Sequence, residues 1–375
     1  MRVCVLMPVF DAFKGGNHLP LLAACRDVQF TILTNSTKPK HPELPSNVTV
    51  ETLNARLGPY YYGIADRRFA NAVLSRYPAD HAFWKQFDVL HLNLIVGTPL
   101  IRLKETGRPI VYVVHHPLAA DRDVTWRESS GFAALLWWFR YWSLVRGQRA
   151  FCRMMPNVLA VSKTVAERII REDGTPADAV TVVPNGVDGS VFIPMDLHQS
   201  NFDVIAIGSL LHPRKGFRYL LQAYRSLAEK GFRIADVGRR NDEQQRALRS
   251  ISGVTMFGMV DHDQLLHLLQ RSSALVSCSL YEGFGLSLIE ALACGRPAFA
   301  FDAGATKEVL DPVDPSLIAP IRDVDQVVRR VESFLRLPVD ERVRRGNEYR
   351  KAVLKLYPLE NSSRLLQGLY ERIAQ

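Results

Sequence analysis

The sequence predicts an α/β fold with two doubly wound parallel sheets, each in a Rossmann-like domain, that face one another across a cleft. Short apolar, β-branched runs recur through both halves of the 375-residue chain, as expected for strands buried on both faces. Amphipathic helical patterns alternate with these runs, and the alternation begins afresh at Phe202. A chain of this length also favours two hydrophobic cores.

The restart of the pattern sets the expected domain limits. We predict a first domain over residues 1–190 and a linker over 191–201. A second domain is expected over 202–358, and a final helix over 359–375 is expected to cross back to the first domain. The N-terminal run has one arginine and a short apolar stretch, which indicates a first strand and not a signal peptide.

Composition restricts the function classes. Hydrophobic residues make up 47% of the chain and charged residues 23%, which is typical of a folded protein. The formal net charge of +9 favours anionic partners, such as phosphorylated small molecules or an anionic membrane surface. Nucleic acid is not expected, because no nucleic-acid-binding signature accompanies this charge. Five scattered cysteines form no C-x-x-C pair, which is typical of reduced, mostly buried thiols in a cytoplasmic protein.

The most informative stretch, over 279–297, reads SLYEGFGLSLIEALACGRP. A strand, a glycine turn and an amphipathic helix in succession direct backbone N–H groups and a helix dipole at an anion. Glu282 and Glu290 flank this turn with seven residues between them. Carboxylates are poor phosphate ligands but good acceptors for hydroxyl groups. A ligand with both phosphate and hydroxyl groups, such as a nucleotide-sugar, fits the pattern. The second domain is therefore the expected nucleotide-sugar-binding domain, and the first is the expected acceptor-binding domain.

Other candidate residues follow predicted strands, where open α/β sheets bind their ligands. Arg214 and Lys215 follow the first strand of the second half and suit a phosphate. In the first half, Gly15 and Gly16 follow the first strand, and His115 ends a later one. Taken singly, each of these is more often an ordinary surface or turn residue; their joint order makes the functional interpretation stronger.

The stretch over 131–155 interleaves tryptophans with arginines. Two interpretations stay open. A helix with indoles beside arginines is able to lie in the headgroup layer of an anionic membrane. It is equally well explained as a long core helix with a basic outer side.

The second half resembles glycosyltransferase family 4, a group of retaining sugar transferases with the GT-B fold. The resemblance rests on the E-x7-E element EGFGLSLIE and on ALACGRP, IGSLLHPRKGF, AVSK and VVPNGVDGSVF. These motifs cover the chain from Val158 to Glu308 in the order and spacing of the family. The first half matches only through Gly15, Gly16 and His115.

The resemblance implies a role for each matched residue. Glu282 would contact the transferred sugar as a catalytic residue, with His115 near the same sugar. Glu290 would hold the ribose hydroxyls, while Lys215 would neutralise the diphosphate and Arg214 is a second candidate for that charge. The remaining donor-binding positions, which would act through their backbone, are Gly15, Gly16, Phe284, Gly285 and Leu286. One departure is Ser209, where many family members have arginine.

The expected reaction moves a sugar from a nucleoside-diphosphate donor to a glycan or lipid-linked acceptor, in cell-surface polysaccharide or lipopolysaccharide assembly. A soluble acceptor is the second possibility. No His/Cys spacing typical of a metal site is recognised in the sequence, so no metal or other cofactor is expected. Two other functions remain as alternatives, a nucleotide-sugar epimerase and a non-catalytic sugar-nucleotide binder or membrane scaffold. The expected location is the cytoplasm, with peripheral membrane attachment possible.

Overall fold

The chain divides into two compact units. The computed structural model describes residues 1–11, 18–38, 43–58, 63–93 and 97–375. The first unit comprises Met1–Asn185 with Leu359–Gln375, and the second comprises Gly186–Pro358. The unit boundary thus precedes the expected one by a few residues.

The segment over 191–201, expected as a linker, packs within the second unit. The side chains of Phe192 and Leu197 are buried. The Ile193 carbonyl accepts a hydrogen bond from Gln270 at 2.9 Å. The segment belongs to the second unit, because it is apolar enough to join a core.

A seven-stranded parallel sheet forms the centre of the first unit, in the order β3-β2-β1-β4-β5-β6-β7. Its strands are β1 (Arg2–Asp11), β2 (Gln29–Lys38), β3 (Val48–Thr52), β4 (Val89–Asn93), β5 (Ile110–Val114), β6 (Asn157–Ala160) and β7 (Val180–Val182). Its α-helices are α1 (His18–Ala24), α2 (Ile64–Arg76), α3 (Leu118–Glu128), α4 (Gly131–Met154), α5 (Lys163–Arg168) and the chain-terminal α13 (Leu359–Ala374). Strands β4 and β5 are buried along their whole length, as their continuous apolar runs predict.

The second unit has a six-stranded parallel sheet in the order β10-β9-β8-β11-β12-β13. Its strands are β8 (Phe202–Ile207), β9 (Ile234–Val237), β10 (Val254–Gly258), β11 (Ser272–Ser277), β12 (Ala298–Phe301) and β13 (Ile318–Ala319). Its α-helices are α6 (Phe217–Glu229), α7 (Asp242–Arg249), α8 (His262–Gln270), α9 (Leu286–Ala293), α10 (Thr306–Leu310), α11 (Val324–Leu335) and α12 (Val339–Leu356). The prediction of two doubly wound parallel sheets is confirmed.

In each sheet the strand order reverses at one point, between β1 and β4 in the first unit and between β8 and β11 in the second. Two neighbouring strands there send their connections to opposite faces, which leaves a crevice at their carboxyl ends. The loops after these four strands are therefore the expected ligand loops.

Helix α13 completes the core of the first unit. The Tyr370 side chain is fully buried, and its hydroxyl lies 2.6 Å from Nδ1 of His91 in β4. Its ring also meets Phe30 of β2 edge-on, with 6.3 Å between centroids. The last turn of the chain thus packs directly against the sheet.

Candidate active site

The loop after β8 carries the predicted basic residues. A short 3₁₀ turn, Pro213–Lys215, follows the strand, and the ring of His212 caps it by accepting a hydrogen bond from the Arg214 N–H at 3.2 Å. The turn ends at Gly216, where φ is +65° and a Cβ would lie 2.0 Å from the carbonyl oxygen of Cys278. Only glycine fits there. The close approach of Gly216 to Cys278 brings the neighbouring Lys215 beside the end of β11.

The loop after β11 holds Glu282 by its backbone. The Leu280 N–H donates to the Arg214 carbonyl at 2.7 Å. The Glu282 carbonyl accepts from the Ala305 N–H at 2.9 Å. At Gly304, φ is +64° and a Cβ would lie 2.3 Å from that same Glu282 carbonyl oxygen. Glu282 is therefore fixed between the turn after β8 and the loop after β12.

Lys215 and Glu282 form an ion pair at the switch point of the second sheet. The Nζ of Lys215 lies 2.5 Å from Oε1 of Glu282, and Nη1 of Arg214 lies 3.9 Å from Oε2. Burial raises the pKa of Glu282, but the charges of Lys215 and Arg214 outweigh it, so this pKa lies below its ordinary value. The Glu282 side chain is only 16% exposed. It is an ionised carboxylate, and the structure brings all three predicted residues together.

The glycine turn ends in the N-terminus of α9. Gly285 has φ of +97°, and a Cβ there would lie 2.7 Å from Cδ1 of Leu288, so the turn requires glycine. The helix begins at Leu286, where first-turn N–H groups have no acceptor within the helix. The Phe284 side chain is buried, with its ring 5.4 Å from that of Tyr357. Phe284 is therefore able to reach a ligand only through its backbone.

Glu290 lies one helical turn further along α9 and is partly buried. Burial raises the pKa of its carboxyl to about 7. This differs from Glu282, whose carboxylate has cationic neighbours. The two acids of the E-x7-E element thus have opposite electrostatic environments. Neighbouring cations lower the pKa of Glu282, whereas burial raises the pKa of Glu290.

We expect the Glu290→Gln variant to gain stability over the wild type as pH rises. Folding raises the pKa of Glu290 from 4.5 to about 7, so the ionised form opposes folding. The stability of the wild type should fall by on the order of 3 kcal/mol between pH 4.5 and 7 and level off above pH 7. Denaturant unfolding at a series of pH values measures the difference. Glu229→Gln, at an exposed position of α6, is the control, and a Glu290→Gln curve parallel to that of the wild type would contradict the assignment.

The loop after β5 carries His115. Its Nε2 lies 2.7 Å from Oδ1 of Asn93, at the end of β4. Burial lowers the pKa of His115 to about 4, with a smaller contribution from His116. The ring is therefore neutral, and because the amide oxygen only accepts, Nε2 carries the proton. Nδ1 is then an acceptor, suited to a sugar hydroxyl. Asn93 is a site residue that sequence reasoning missed.

Side chains of α3 and α4 contact the loop that carries His115. The Gln148 side chain, buried in α4, accepts from the Leu118 N–H at 2.7 Å and donates to the His116 carbonyl at 3.2 Å. His116 also lies 3.0 Å from the carboxylate of Asp121 in α3. The predicted residues Gly15 and Gly16, after β1, lie outside the described residues.

Ser209 is exposed in the loop after β8, in the position where arginine was expected. A different arginine supports this loop. Arg240, after β9, donates to the Gly208 carbonyl at 2.7 Å and pairs with Asp236 at 2.7 Å, with both side chains almost completely buried. Arg240 thus neutralises Asp236 and fixes the backbone beside Ser209.

Two parallel-sheet α/β units are the architecture of the GT-B class of glycosyltransferases, and in the second unit a cation, a carboxylate and a helix N-terminus lie at the switch point. Residues 20–190 match the family described as Glycosyltransferase Family 4, and residues 201–336 match glycosyl transferases group 1. The chain belongs to glycosyltransferase family 4.

Two relatives illustrate this membership. The chain is 33% identical over 302 residues to an MMP alpha-(1->4)-mannosyltransferase of Mycolicibacterium hassiacum, covering 76% of this chain and 71% of that protein. It is 27% identical over 372 residues to a phosphatidyl-myo-inositol mannosyltransferase of Mycolicibacterium smegmatis, covering 92% and 87%.

Solved structures share the fold. A sucrose-phosphate synthase from Thermosynechococcus elongatus superposes with a TM-score of 0.79 at 20% identity, covering 99% of this chain and 98% of that one. Anabaena Alr3699/HepE, solved in complex with UDP-glucose, superposes with a TM-score of 0.71 at 17% identity, covering 99% and 100%. At these identities the likeness shows the fold alone.

Proposed function

We propose that the protein is a retaining glycosyltransferase of the cytoplasm. It would move a sugar from a nucleoside-diphosphate donor to a glycan or lipid-linked acceptor, in the assembly of a cell-surface polysaccharide or lipopolysaccharide. The observation that carries the proposal is the Lys215–Glu282 pair beside the N-terminus of α9. A positive charge and N–H donors suit a diphosphate, and carboxylates suit the hydroxyl groups of sugar and ribose.

The proposed chemistry has one transfer step. The bond between the anomeric carbon and the phosphate oxygen breaks, and its electron pair stays on the diphosphate, where Lys215 and the α9 N-terminus stabilise the charge. An acceptor hydroxyl forms the new bond from the same face, and its proton passes to the departing phosphate oxygen. Glu282 is tied to Lys215 and so is a poor covalent nucleophile, which supports a same-face attack with retention.

The donor is proposed from the site and from the relatives together. HepE was solved with UDP-glucose, and both named relatives are mannosyltransferases. Nucleoside-diphosphate glucose and mannose are therefore the first donors to test. The second relative's name includes a phosphatidyl lipid, which supports a lipid-linked acceptor and an anionic membrane surface as a partner. An epimerase or a non-catalytic binder is not favoured, since both relatives transfer sugars.

A transfer assay tests the proposal. Purified protein is incubated with each nucleotide-sugar, with and without a lipid or glycan extract, and the released nucleoside diphosphate and the anomer of the product are measured. We expect release to depend on acceptor, the product to retain the donor anomer, and activity to survive EDTA, because Lys215 and the helix N-terminus supply the positive charge. Donor epimerised without acceptor would overturn the proposal, and EDTA loss reversed by a divalent ion would overturn metal independence.

A further inference from the structure

Helix α4 has a large apolar face that is exposed in the described part of the chain. Its inner side is buried, with Tyr141 and Val145 packed against Ala119 of α3. Its outer side exposes six large apolar side chains, each 42–74% accessible. They recur at spacings of three and four residues, so they share one side of the helix: Phe132, Leu135, Leu136, Trp138, Phe139 and Trp142. We call these six residues the outer face.

The outer face calls for an apolar partner. An exposed, contiguous apolar patch of this kind marks a protein or membrane interaction site. Among the helices that the structure describes, none combines the length and apolar character that a membrane span requires. A helix half covered by its own protein and half apolar toward the outside suits the boundary between headgroups and acyl chains.

The charge of α4 indicates which kind of surface it meets. The helix contains four arginines and no acidic residue. Two of the four, Arg149 and Arg153, are engaged with Asp173. Arg140 and Arg146 lie over the indole rings of Trp137 and Trp142, each 4.9 Å from the ring centroid. Indoles and arginines at one level of a helix match the interface of an anionic bilayer, where indoles prefer the headgroup layer and arginines meet lipid phosphates. The exposed side chain of Trp126 in the adjacent α3 adds a further indole.

We propose that the outer face of α4 docks on an anionic lipid bilayer. A second copy of this chain fits less well, because a two-fold contact between outer faces would bring the arginines of one α4 toward those of the other. Docking itself does not depend on the proposed function. Only its link to catalysis rests on the proposed lipid-linked acceptor. Gln148 on the inner side of the same helix fixes the His116 backbone, so docking would hold the His115 loop near the lipid.

Flotation of the full-length protein with vesicles tests the proposal. Leu136→Glu on the outer face is compared with Leu365→Glu on α13, since the two leucines are 43% and 41% exposed. Wild type should float with vesicles that contain phosphatidylglycerol and less with phosphatidylcholine alone, and salt should weaken binding. Leu136→Glu should reduce binding about tenfold or more, whereas Leu365→Glu should not. Trp142→Gln, which adds no charge, is the second variant should Leu136→Glu fail to fold.

Three outcomes would overturn docking: equal binding to neutral vesicles, variants that bind like the wild type, or a dimer in solution that Leu136→Glu dissociates. Release of nucleoside diphosphate from the donor is measured in parallel, in detergent. Leu136→Glu should retain this activity, since Leu136 lies outside the proposed active site. A Leu136→Glu variant that no longer floats but still releases nucleoside diphosphate supports docking. Wild-type protein that releases nucleoside diphosphate but does not float refutes docking alone. Wild-type protein that floats but releases no nucleoside diphosphate refutes the proposed function alone.

Discussion

Replacing Glu282 with glutamine is expected to lower kcat for sugar transfer about 10²- to 10³-fold while the KM for the donor changes little. Glutamine keeps the volume of the side chain and removes its charge. The transferred sugar gains positive character only as its bond to phosphate breaks, so a carboxylate beside it acts chiefly in the transition state. A single electrostatic contact of this kind is worth about 3 kcal/mol.

Initial rates at varied donor concentration measure this separation of kcat from KM. Glu290→Gln is the matched control, because it is the other acid of the same element and should raise the donor KM instead. Thermal unfolding checks that each variant folds. A Glu282→Gln enzyme with wild-type kcat would remove Glu282 from the catalytic machinery and with it the proposed role of the ion pair.

Replacing Lys215 with alanine is expected to weaken donor binding about 10- to 100-fold and to lower kcat as well. A charge-assisted hydrogen bond contributes about 1.5–3 kcal/mol, and the diphosphate gains charge as it departs. Titration with the nucleoside diphosphate measures binding directly. Lys230→Ala is the control, since Lys230 forms a comparable pair with Glu332 at 2.9 Å in the same unit but away from the loops after β8 and β11. Equal nucleotide affinity in wild type and Lys215→Ala would refute the phosphate role.

The same variant also changes stability in a pH-dependent way. Lys215 and Arg214 hold the pKa of Glu282 below its ordinary value, so the pair stabilises the fold above that value, and this contribution is lost as pH falls. Lys215→Ala should therefore be less stable than the wild type at pH 7 but not in acid. Adding Glu282→Gln should restore part of the stability without restoring transfer, because it removes the uncompensated carboxylate.

Local sequence signals predicted the second unit well. Glycine turns after strands placed Lys215 and Glu282 at the carboxyl ends of β8 and β11, since Gly216 and Gly285 mark positions that only glycine fits. Strand β13, with two residues, went unrecognised because such a short strand has no periodicity. The packing of Phe192 was also missed, since its partners come later in the chain.

In the first unit, residue patterns did not predict contacts between residues that are distant in the sequence. His115 was identified at a strand end, but its partner Asn93 lies 22 residues earlier on a neighbouring strand. Only the parallel pairing of β4 with β5 brings them together. For α4, the alternation of tryptophan and arginine was compatible with a buried helix or a membrane helix. Which indoles face outward depends on packing against α3, which a single sequence does not reveal.

The placement of α13 has a consequence for biogenesis. The sheet that contains β2 and β4 lacks its covering residue Tyr370 until the chain has been synthesised through α13. Residues 186–358 form a unit of their own and leave the ribosome earlier. The core of the first unit therefore stays incomplete until α13 emerges, and chains released before that point should be substrates for chaperones and proteases.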